Sequence, residues 1–506
     1  MILYSVYNDI IMNDININDE RNVRIHKLKE LAEQGISAYP STSTRTHYID
    51  KALLEPIDTQ VTIAGRIVLK RTFGKLAFCK LQDSTGDMQT VFEHDHLNET
   101  SFLQFKKLID LGDIISVTGT RYITQKGEQS ILASDWTLLS KALRPLPDKH
   151  KGLQDEETIL RKRYLEFISH PEVKNLFVQK SIFWNSVRDF LRAKNFLEVE
   201  TPVLESTPGG ADAQPFITHH NSLDIDVYLR ISMGELWQKR LMVAGFDKTF
   251  EIGRQFRNEG MSREHLQDYT QMEFYWSYAN YEDSMALVEE MYKEILHKTF
   301  NTSVFTIGEF ENIDISKPWG MIDYVTSIKE KFDIDVLEAS DQEIKQKLSE
   351  LSVKSDDIIG RGRLIDTLWK QVRKTIKGPV FVINHPVEVS PLAKRISDNP
   401  KQTERYQVMI AGSELGNGYT ELNDPIDQAL RFETQSELRD QGDAEAQMHD
   451  QSFVEALEYA MPPTTGFGLS ERVFSFFANK PIRECVLFPL MKPETKEEIE
   501  QHLDKT

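Results

Sequence analysis

Between Lys248 and Tyr278 the chain sets acids, amides, phenols and arginines at a spacing suited to a small charged substrate. The stretch reads as two extended segments joined by a polar loop. Residues two apart share one face of a strand. Tyr269, Gln271, Glu273 and Tyr275 therefore point one way, and Thr270, Met272, Phe274 and Trp276 the other. The second set can lie on a core. The first is either a solvated face or the floor of a binding site. The outgoing segment ends in Arg257-Asn258-Glu259, and the loop adds Arg263, Glu264 and His265.

Two further stretches have the same character. In Gly416–Glu421 the residues Asn417, Tyr419 and Glu421 alternate with period 2, so an amide, a phenol and a carboxylate share a face. Gly466-Phe467-Gly468-Leu469-Ser470-Glu471-Arg472 precedes a helical pattern marked by Val473, Phe476 and Phe477. Glycine admits close backbone approach, although Gly-x-Gly alone is a weak signal. A cation in a first helical turn opposes the helix dipole. Arg472 therefore points either to an anionic partner such as phosphate or to a nearby surface acid. There is no GxxxxGK[ST], GxSxG, HExxH or CxxC, nor a GxGxxG after a strand. Phosphates, if bound, fall to arginines and metal-holding carboxylates. Phosphoryl chemistry needs positioning and charge neutralisation more than a protein nucleophile.

The elements that must position these groups follow from periodicity. Residues 19–34 read as a helix stopped by Gly35, and five strand-like runs lie between Val61 and about residue 140 with one helix after the third. That order predicts a five-stranded OB β-barrel, in which Arg66, Lys70, Arg71, Lys75, Phe78 and Gln89 are candidates to meet single-stranded nucleic acid. From periodicity alone, Phe78 reads rather more readily as core. Residues 141–160 read as a linker, and 141–163, with seven Lys/Arg against four acids, form a basic patch. A helix over 173–195 carries a stripe of Phe183, Val187, Phe190 and Leu191, and a strand over FLEVETP follows. Residues 326–377 read as a helical insertion without visible chemistry. Strands broken by helices without βαβ alternation predict an α+β domain on an antiparallel sheet over 161–506.

The chain has 506 residues and a formal net charge of −19, which argues against broad nonspecific nucleic-acid binding but not against local patches. No run matches a membrane span or a secretory leader, and Cys79 and Cys485 are too far apart to suggest a metal cluster. A cytoplasmic setting is expected.

Taken together, FLEVETPVL (196–204), FEIGRQFRNEG…DYTQMEFY (250–275) and GFGLSERV (466–473) resemble the three motifs of class II lysyl-tRNA synthetases. The likeness spans roughly residues 20–493. TPGGADAQPFITHHNSLDIDVYLRI, ELGNGYTELNDP and KALRPLPDKHKGLQDEE are similar to stretches that separate the lysine enzyme from its aspartate and asparagine relatives. The resemblance implies an anticodon-binding barrel over 61–140, with Arg66, Phe78 and Gln89 facing tRNA(Lys), after an extension and helix over 1–60. It also implies a catalytic domain that dimerises through residues 175–204. Arg257 and Arg472 would grip ATP as the catalytic arginines, with Tyr269 on adenine and Glu259 and His265 beside the nucleotide. Gly210 and Glu235 would hold the α-ammonium of lysine, and Arg257 its carboxylate. Glu273, Tyr275 and Glu421 would take the ε-ammonium, with Asn417 and Tyr419 alongside. Glu414 and Glu421 would hold Mg²⁺, whose further family ligand is here Gln407, a weaker amide.

The chain departs from the family pattern in the loop, where Glu264 replaces a basic residue and Arg263 is positioned to take over its phosphate contact. Glu471 also replaces an Asp. Alternatives are a synthetase shell that only binds RNA, a paralogue that lysylates protein, or an aspartyl- or asparaginyl-type enzyme. Glu421→Gln is expected to raise the KM for lysine sharply and leave ATP binding nearly intact. Lysine-dependent ATP–pyrophosphate exchange measures this, and equal loss of both would remove Glu421 from ammonium binding.

Overall fold

The computed structural model describes residues 19–147, 153, 155–355, 357–443 and 445–495. The N-terminal residues 1–18, and residues 148–152 and 154 of the basic patch, lie outside them. The chain divides into two compact units, one centred on residues 19–159 and the other on 170–493.

The first unit is a closed barrel of β1 (Gln60–Phe73), β2 (Leu76–Gln82), β3 (Asp87–Glu93), β4 (Ile114–Ile123) and β5 (Gln129–Ser140), in the order β1-β2-β3-β5-β4. Alternation along β2 buries Ala77, Cys79 and Leu81 and turns Phe78 and Lys80 outward. Helix α1 (Glu20–Glu33) is not a separate piece. Its Leu28 and Leu31, with Ala38, Ile49 and Ala52, share the barrel's core. Helix α2 (Glu99–Leu108) closes one end, where Phe105 stacks on Phe92 with ring centroids 3.8 Å apart.

Two cations read from the sequence as surface groups are structural instead. Lys70 Nζ donates to the carbonyls of Phe105, Lys106 and Ile109 at 2.9, 3.2 and 2.5 Å. It thereby caps the C-terminal end of α2, where a cation is favoured; burial pulls its pKa down to about 8. Lys141, counted in the basic patch, is buried and lies 2.6 Å from Asp110 and 2.8 Å from Asp113.

The strands of the second unit are β6 (Leu197–Glu198), β7 (Leu204–Glu205), β8 (Ile217–His220), β9 (Ile225–Leu229), β10 (Lys248–Phe256), β11 (Asp268–Ser277), β12 (Val304–Ile307), β13 (Phe310–Asp314), β14 (Gly320–Asp323), β15 (Val380–Pro386), β16 (Arg395–Ile396), β17 (Asn399–Ile410), β18 (Ser413–Thr420) and β19 (Thr464–Ser470). β7-β9-β8 and β12-β13 form two small sheets, while the main sheet is mixed, in the order β14-β15-β17-β18-β19-β11-β10-β6 with β16 beside β17. The centre is antiparallel, as expected. Parallel pairs stand at both edges, β14 with β15 and β6 with β10. β6 is shorter than FLEVETP suggests. Thr201 bonds the Glu251 carboxylate through its N–H at 3.1 Å and its hydroxyl at 2.6 Å, and Pro202 has no N–H to extend a ladder.

One face of the sheet carries the core. Met272 and Phe274 of β11 and Phe467 and Leu469 of β19 pack with helices α3 (Lys174–Ala193) and α5 (Tyr281–Phe300). The α3 stripe Phe183, Val187, Phe190 and Leu191 is buried there, as its spacing predicts. Helix α4 (Glu235–Val243) precedes β10. The insertion folds as α6 (Tyr324–Phe332), α7 (Asp341–Glu350) and α8 (Arg361–Arg373) around their own core, with Trp369 stacked 4.3 Å from Tyr324.

Lys141→Ala would strand Asp113, whose side chain is fully buried. Breaking such a pair costs about 3–5 kcal/mol. Hydrogen exchange along β4 should speed up accordingly, and a loss below about 1 kcal/mol would mean that water replaces the lysine.

Candidate active site

The sheet face opposite the core forms the floor of a cavity of about 550 Å³, within the range usual for small-molecule sites. Three adjacent strands supply it in register. Glu273 of β11 and Asn417 of β18 flank Gly468 of β19, while Tyr275 and Tyr419 flank Gly466. The glycines are required by this arrangement. A Cβ at Gly466 would collide with the Glu421 carboxylate and lie 2.7 Å from the Tyr275 ring. Phe467 between them turns to the opposite face, joining Phe274 and Tyr406 in the core. The sequence Gly-Phe-Gly is thus one strand's alternation between site and core.

At one end the cavity is lined by three carboxyls, Glu235, Glu273 and Glu421, all buried. Glu235 opens α4. Gly210, with φ of 86°, comes so close that a Cβ there would lie 2.7 Å from that of Glu235. Tyr419 OH donates to Glu235 Oε1 at 2.5 Å, and Tyr275 OH donates to Glu273 Oε2 at 2.9 Å. Glu273 Oε1 accepts from Met233 N at 2.9 Å and Gln271 Nε2 at 2.6 Å. A fourth charge was not anticipated. Lys239, one turn along α4 from Glu235, lies 2.7 Å from Glu235 Oε1 and 2.5 Å from Glu421 Oε2.

Three carboxyls against one ammonium leave two negative charges that protons or a ligand's cations must neutralise. The pKa shifts follow. Burial, then the Glu235 charge, pushes Glu273 up to about 7 against its hydrogen bonds. Burial also drives Glu421 well up, with Lys239 opposing and Glu235 adding to the rise. Burial alone would lower Lys239, but Glu235 and Glu421 outweigh it and raise it.

The other end is cationic. Arg257, at the exit of β10, lines the cavity with its guanidinium carbon 5.8 Å from the Tyr269 ring. His265, Arg472 and Glu414 line it too. Desolvation, then Arg472, lowers the His265 pKa. Arg472 opens a helix of only six residues, Arg472–Phe477, and its guanidinium is ion-paired with Glu264. Of the two readings of Arg472, an acid partner is present, but it lies within the cavity and not on an outer surface. Glu471 does not reach the cavity. It is buried and holds Lys180 of α3 at 2.5 Å.

Some expected residues fall outside the cavity. Glu259 is not in its walls and meets Gln267 only through its carbonyl, which accepts from Nε2 at 3.0 Å. Arg263 is exposed; its carbonyl accepts from Ile482 N at 2.9 Å. Gln407 lines a smaller neighbouring cavity that Glu414 also borders. Among the described residues no cluster of three or more His, Cys, Asp or Glu is arranged to hold a metal ion. Glu421 is engaged by Lys239, whereas Glu414 is partly exposed with Arg373 only loosely opposed at 3.9 Å. One such carboxylate beside phosphate oxygens fits Mg²⁺, which takes few protein ligands.

The insertion supplies what sequence reading overlooked. Asp366, Lys370 and Arg373 of α8 line the cavity, as does Arg405, whose Nε donates to Asn417 Oδ1 at 2.8 Å. Asp366, Lys370 and Arg373 stand at i, i+4 and i+7, one face of a helix whose other face buries Leu364, Leu368 and Trp369. Glu235 and Lys239 likewise have the i, i+4 spacing of a helical ion pair.

Two family models match the chain. One, tRNA synthetases class II (D, K and N), matches residues 155–492, and the other, OB-fold nucleic acid binding domain, matches 61–139. The chain is similar to curated proteins named lysine–tRNA ligase, among them the following. The Thermosipho africanus protein is 40% identical over 96% of this chain and 99% of its own. The Bacillus subtilis protein is 42% identical over 95% and 98%. The Thermotoga maritima protein is 40% identical over 96% and 99%.

The raised Glu273 carboxyl is neutral below about pH 7 and ionised above it. Only the ionised form attracts an ammonium. Affinity for a diammonium ligand such as free lysine should therefore rise as pH increases through about 7, and Glu273→Gln should flatten that rise. A pH series of binding isotherms checks this, and an unchanged slope in the variant would take the titration away from Glu273.

Proposed function

We propose roles for the cavity's side chains from one premise: the chain belongs to the class II tRNA synthetases of the aspartate, lysine and asparagine group and is a lysine–tRNA ligase. The observation that carries the division of roles is the charge imbalance of three buried carboxyls around one resident ammonium, Lys239. Any amino acid brings an α-ammonium, but lysine brings a second. Glu235, beside Gly210, takes the α-ammonium. Glu273 and Glu421, with Tyr275, take the ε-ammonium, and Tyr419 and Asn417 flank the methylenes. A neutral or acidic side chain would leave these carboxylates unpaired, a penalty of several kcal/mol.

Arg257 faces both the lysine carboxylate and the α-phosphate of ATP. Tyr269 stacks on adenine, and His265 and Arg472 hold the outer phosphates. Glu259 lies just outside the cavity walls, and its charge acts on the cavity-lining His265 and Tyr269, so it is kept beside the nucleotide. With lysine held at both ammonium groups, its carboxylate attacks the α-phosphate in line and pyrophosphate leaves, while the guanidinium of Arg257 offsets the charge that develops. The terminal ribose hydroxyl of tRNA(Lys) then attacks the adenylate carbonyl. Glu414 would hold Mg²⁺ that enters with ATP, which when bound neutralises phosphate charge.

On the barrel, Phe78 is half-buried beside Phe73, with centroids 6.3 Å apart, on the outward face that also bears Gln89. We assign Phe78 to stacking on an anticodon base, with Arg66 and Gln89 at its margins. A homodimer through α3 and the following segment is supported by a run of exposed apolar side chains, Val178, Ile182, Leu197, Val203 and Leu204. Among the described residues no helix is long and apolar enough to cross a membrane. The two free, buried cysteines accord with a reducing cytoplasm.

The test is ATP–pyrophosphate exchange with each amino acid, in which lysine alone should support turnover. Exchange with aspartate or asparagine instead would overturn the reading. Phe78→Ala should leave lysine-dependent exchange intact and raise the KM for tRNA(Lys) by roughly tenfold, the scale of one lost base stack. An unchanged tRNA KM would return Phe78 to a packing role.

A further inference from the structure

The loop between β10 and β11 carries an acid directly into the cationic end of the cavity. Its backbone is held in place. Ile482 N donates to Arg263 O at 2.9 Å, Glu264 N donates to Ser262 Oγ at 3.1 Å, and Ser262 Oγ also meets His265 Nδ1 at 2.7 Å. From that frame the Glu264 side chain reaches the Arg472 guanidinium, and Ser413 Oγ donates to its other oxygen at 3.4 Å. Both ends of the pair line the cavity. Glu264 is the more exposed partner, at 38% against 17% for Arg472. The arginine is the more buried member, and the carboxylate is the more open to solvent.

We infer that Glu264 is a resident anion on the phosphate-gripping arginine, a positioning residue that sets how tightly the nucleotide's outer phosphates are held. A guanidinium offers one planar fork to a carboxylate or to a phosphate. A phosphate reaching Arg472 therefore displaces Glu264, and repulsion between the two anions weakens binding further. The cost falls on polyphosphate ligands only, because the lysine end of the cavity and the Tyr269 ring lie on other elements. Lys370 and Arg373, brought by α8 to the same cavity, supply cations that receive the phosphates as the carboxylate withdraws. This inference rests on the assignment of Arg472 to the outer phosphates.

The experiment compares the full-length protein with Glu264→Gln, Arg472→Ala and the double variant. Calorimetry gives dissociation constants for Mg–ATP, inorganic tripolyphosphate, adenosine and lysine, and exchange kinetics give the KM for ATP and kcat. Glu264→Gln should tighten ATP and tripolyphosphate about fivefold, the scale of one partly exposed ion pair. The ATP KM should fall in step, while adenosine and lysine change less than about twofold on the same scale. In the Arg472→Ala background the same substitution should have no effect on tripolyphosphate. Unchanged or weaker ATP binding in Glu264→Gln, an equal shift for adenosine, or a persisting effect without Arg472 would overturn the inference. Arg472→Ala alone reads the underlying assignment. If it leaves tripolyphosphate binding intact, Arg472 is not the phosphate grip and the parent reading fails. If it weakens that binding while Glu264→Gln does nothing, only the inference fails.

Discussion

The constraint on which this structure depends is the crowding of Glu235, Glu273 and Glu421 around the single ammonium of Lys239. Buried carboxylates without matching cations are costly, so the surroundings are built to hold them. Tyr275 and Tyr419 donate hydroxyls, Met233 donates a backbone N–H, and Gln271 an amide. The glycines of β19 exist for the same reason, since a side chain at Gly466 would stand where the Glu421 carboxylate must be. The core beneath is the other face of the same strands. Met272, Phe274, Phe467 and Leu469 anchor the floor, so the polar residues between them have little freedom to relax.

The site is polar along its length. Acids gather at the end reached by α4 and the start of the segment after β18, and guanidinium groups gather where β10 exits and the Arg472 helix begins. A substrate with two ammonium groups and a carboxylate, joined to a polyanionic nucleotide, matches that gradient. Lys239 tunes it. By meeting Glu235 and Glu421 together, it keeps the acidic end from carrying three bare charges, yet leaves a deficit that a ligand can fill. Glu264 plays the converse part among the arginines, where a single acid tempers the positive end.

Much of this was legible from residue types. Period-2 alternation assigned Glu273 and Tyr275 to one face and Met272 and Phe274 to the other, because strand geometry leaves no third choice. The barrel order and the α3 stripe were readable for the same local reason. What escaped notice depended on contacts between distant segments. Lys70 and Lys141 read as surface cations, yet one caps α2 and the other is buried with Asp110 and Asp113. Periodicity on a strand cannot tell a solvated lysine from one folded back on a carbonyl. Arg373 and Lys370 lay in a helix whose charge pattern resembled any solvated face, and only the fold brings that face to the cavity. Lys239 did carry a local sign in its spacing from Glu235, but a helical ion pair is common and rarely marks a site.

The central claim is that the two carboxyls in excess of Lys239, held by protons in the free site, are matched by the two ammonium groups of lysine. Calorimetry of lysine binding at pH 7, in buffers of differing ionisation enthalpy, tests it most directly. The account predicts net proton release as the second ammonium displaces a proton from the Glu273–Glu421 end, and far weaker binding of norleucine, which has the same chain without the charge. Lysine binding without proton release, at an affinity norleucine shares, would contradict it.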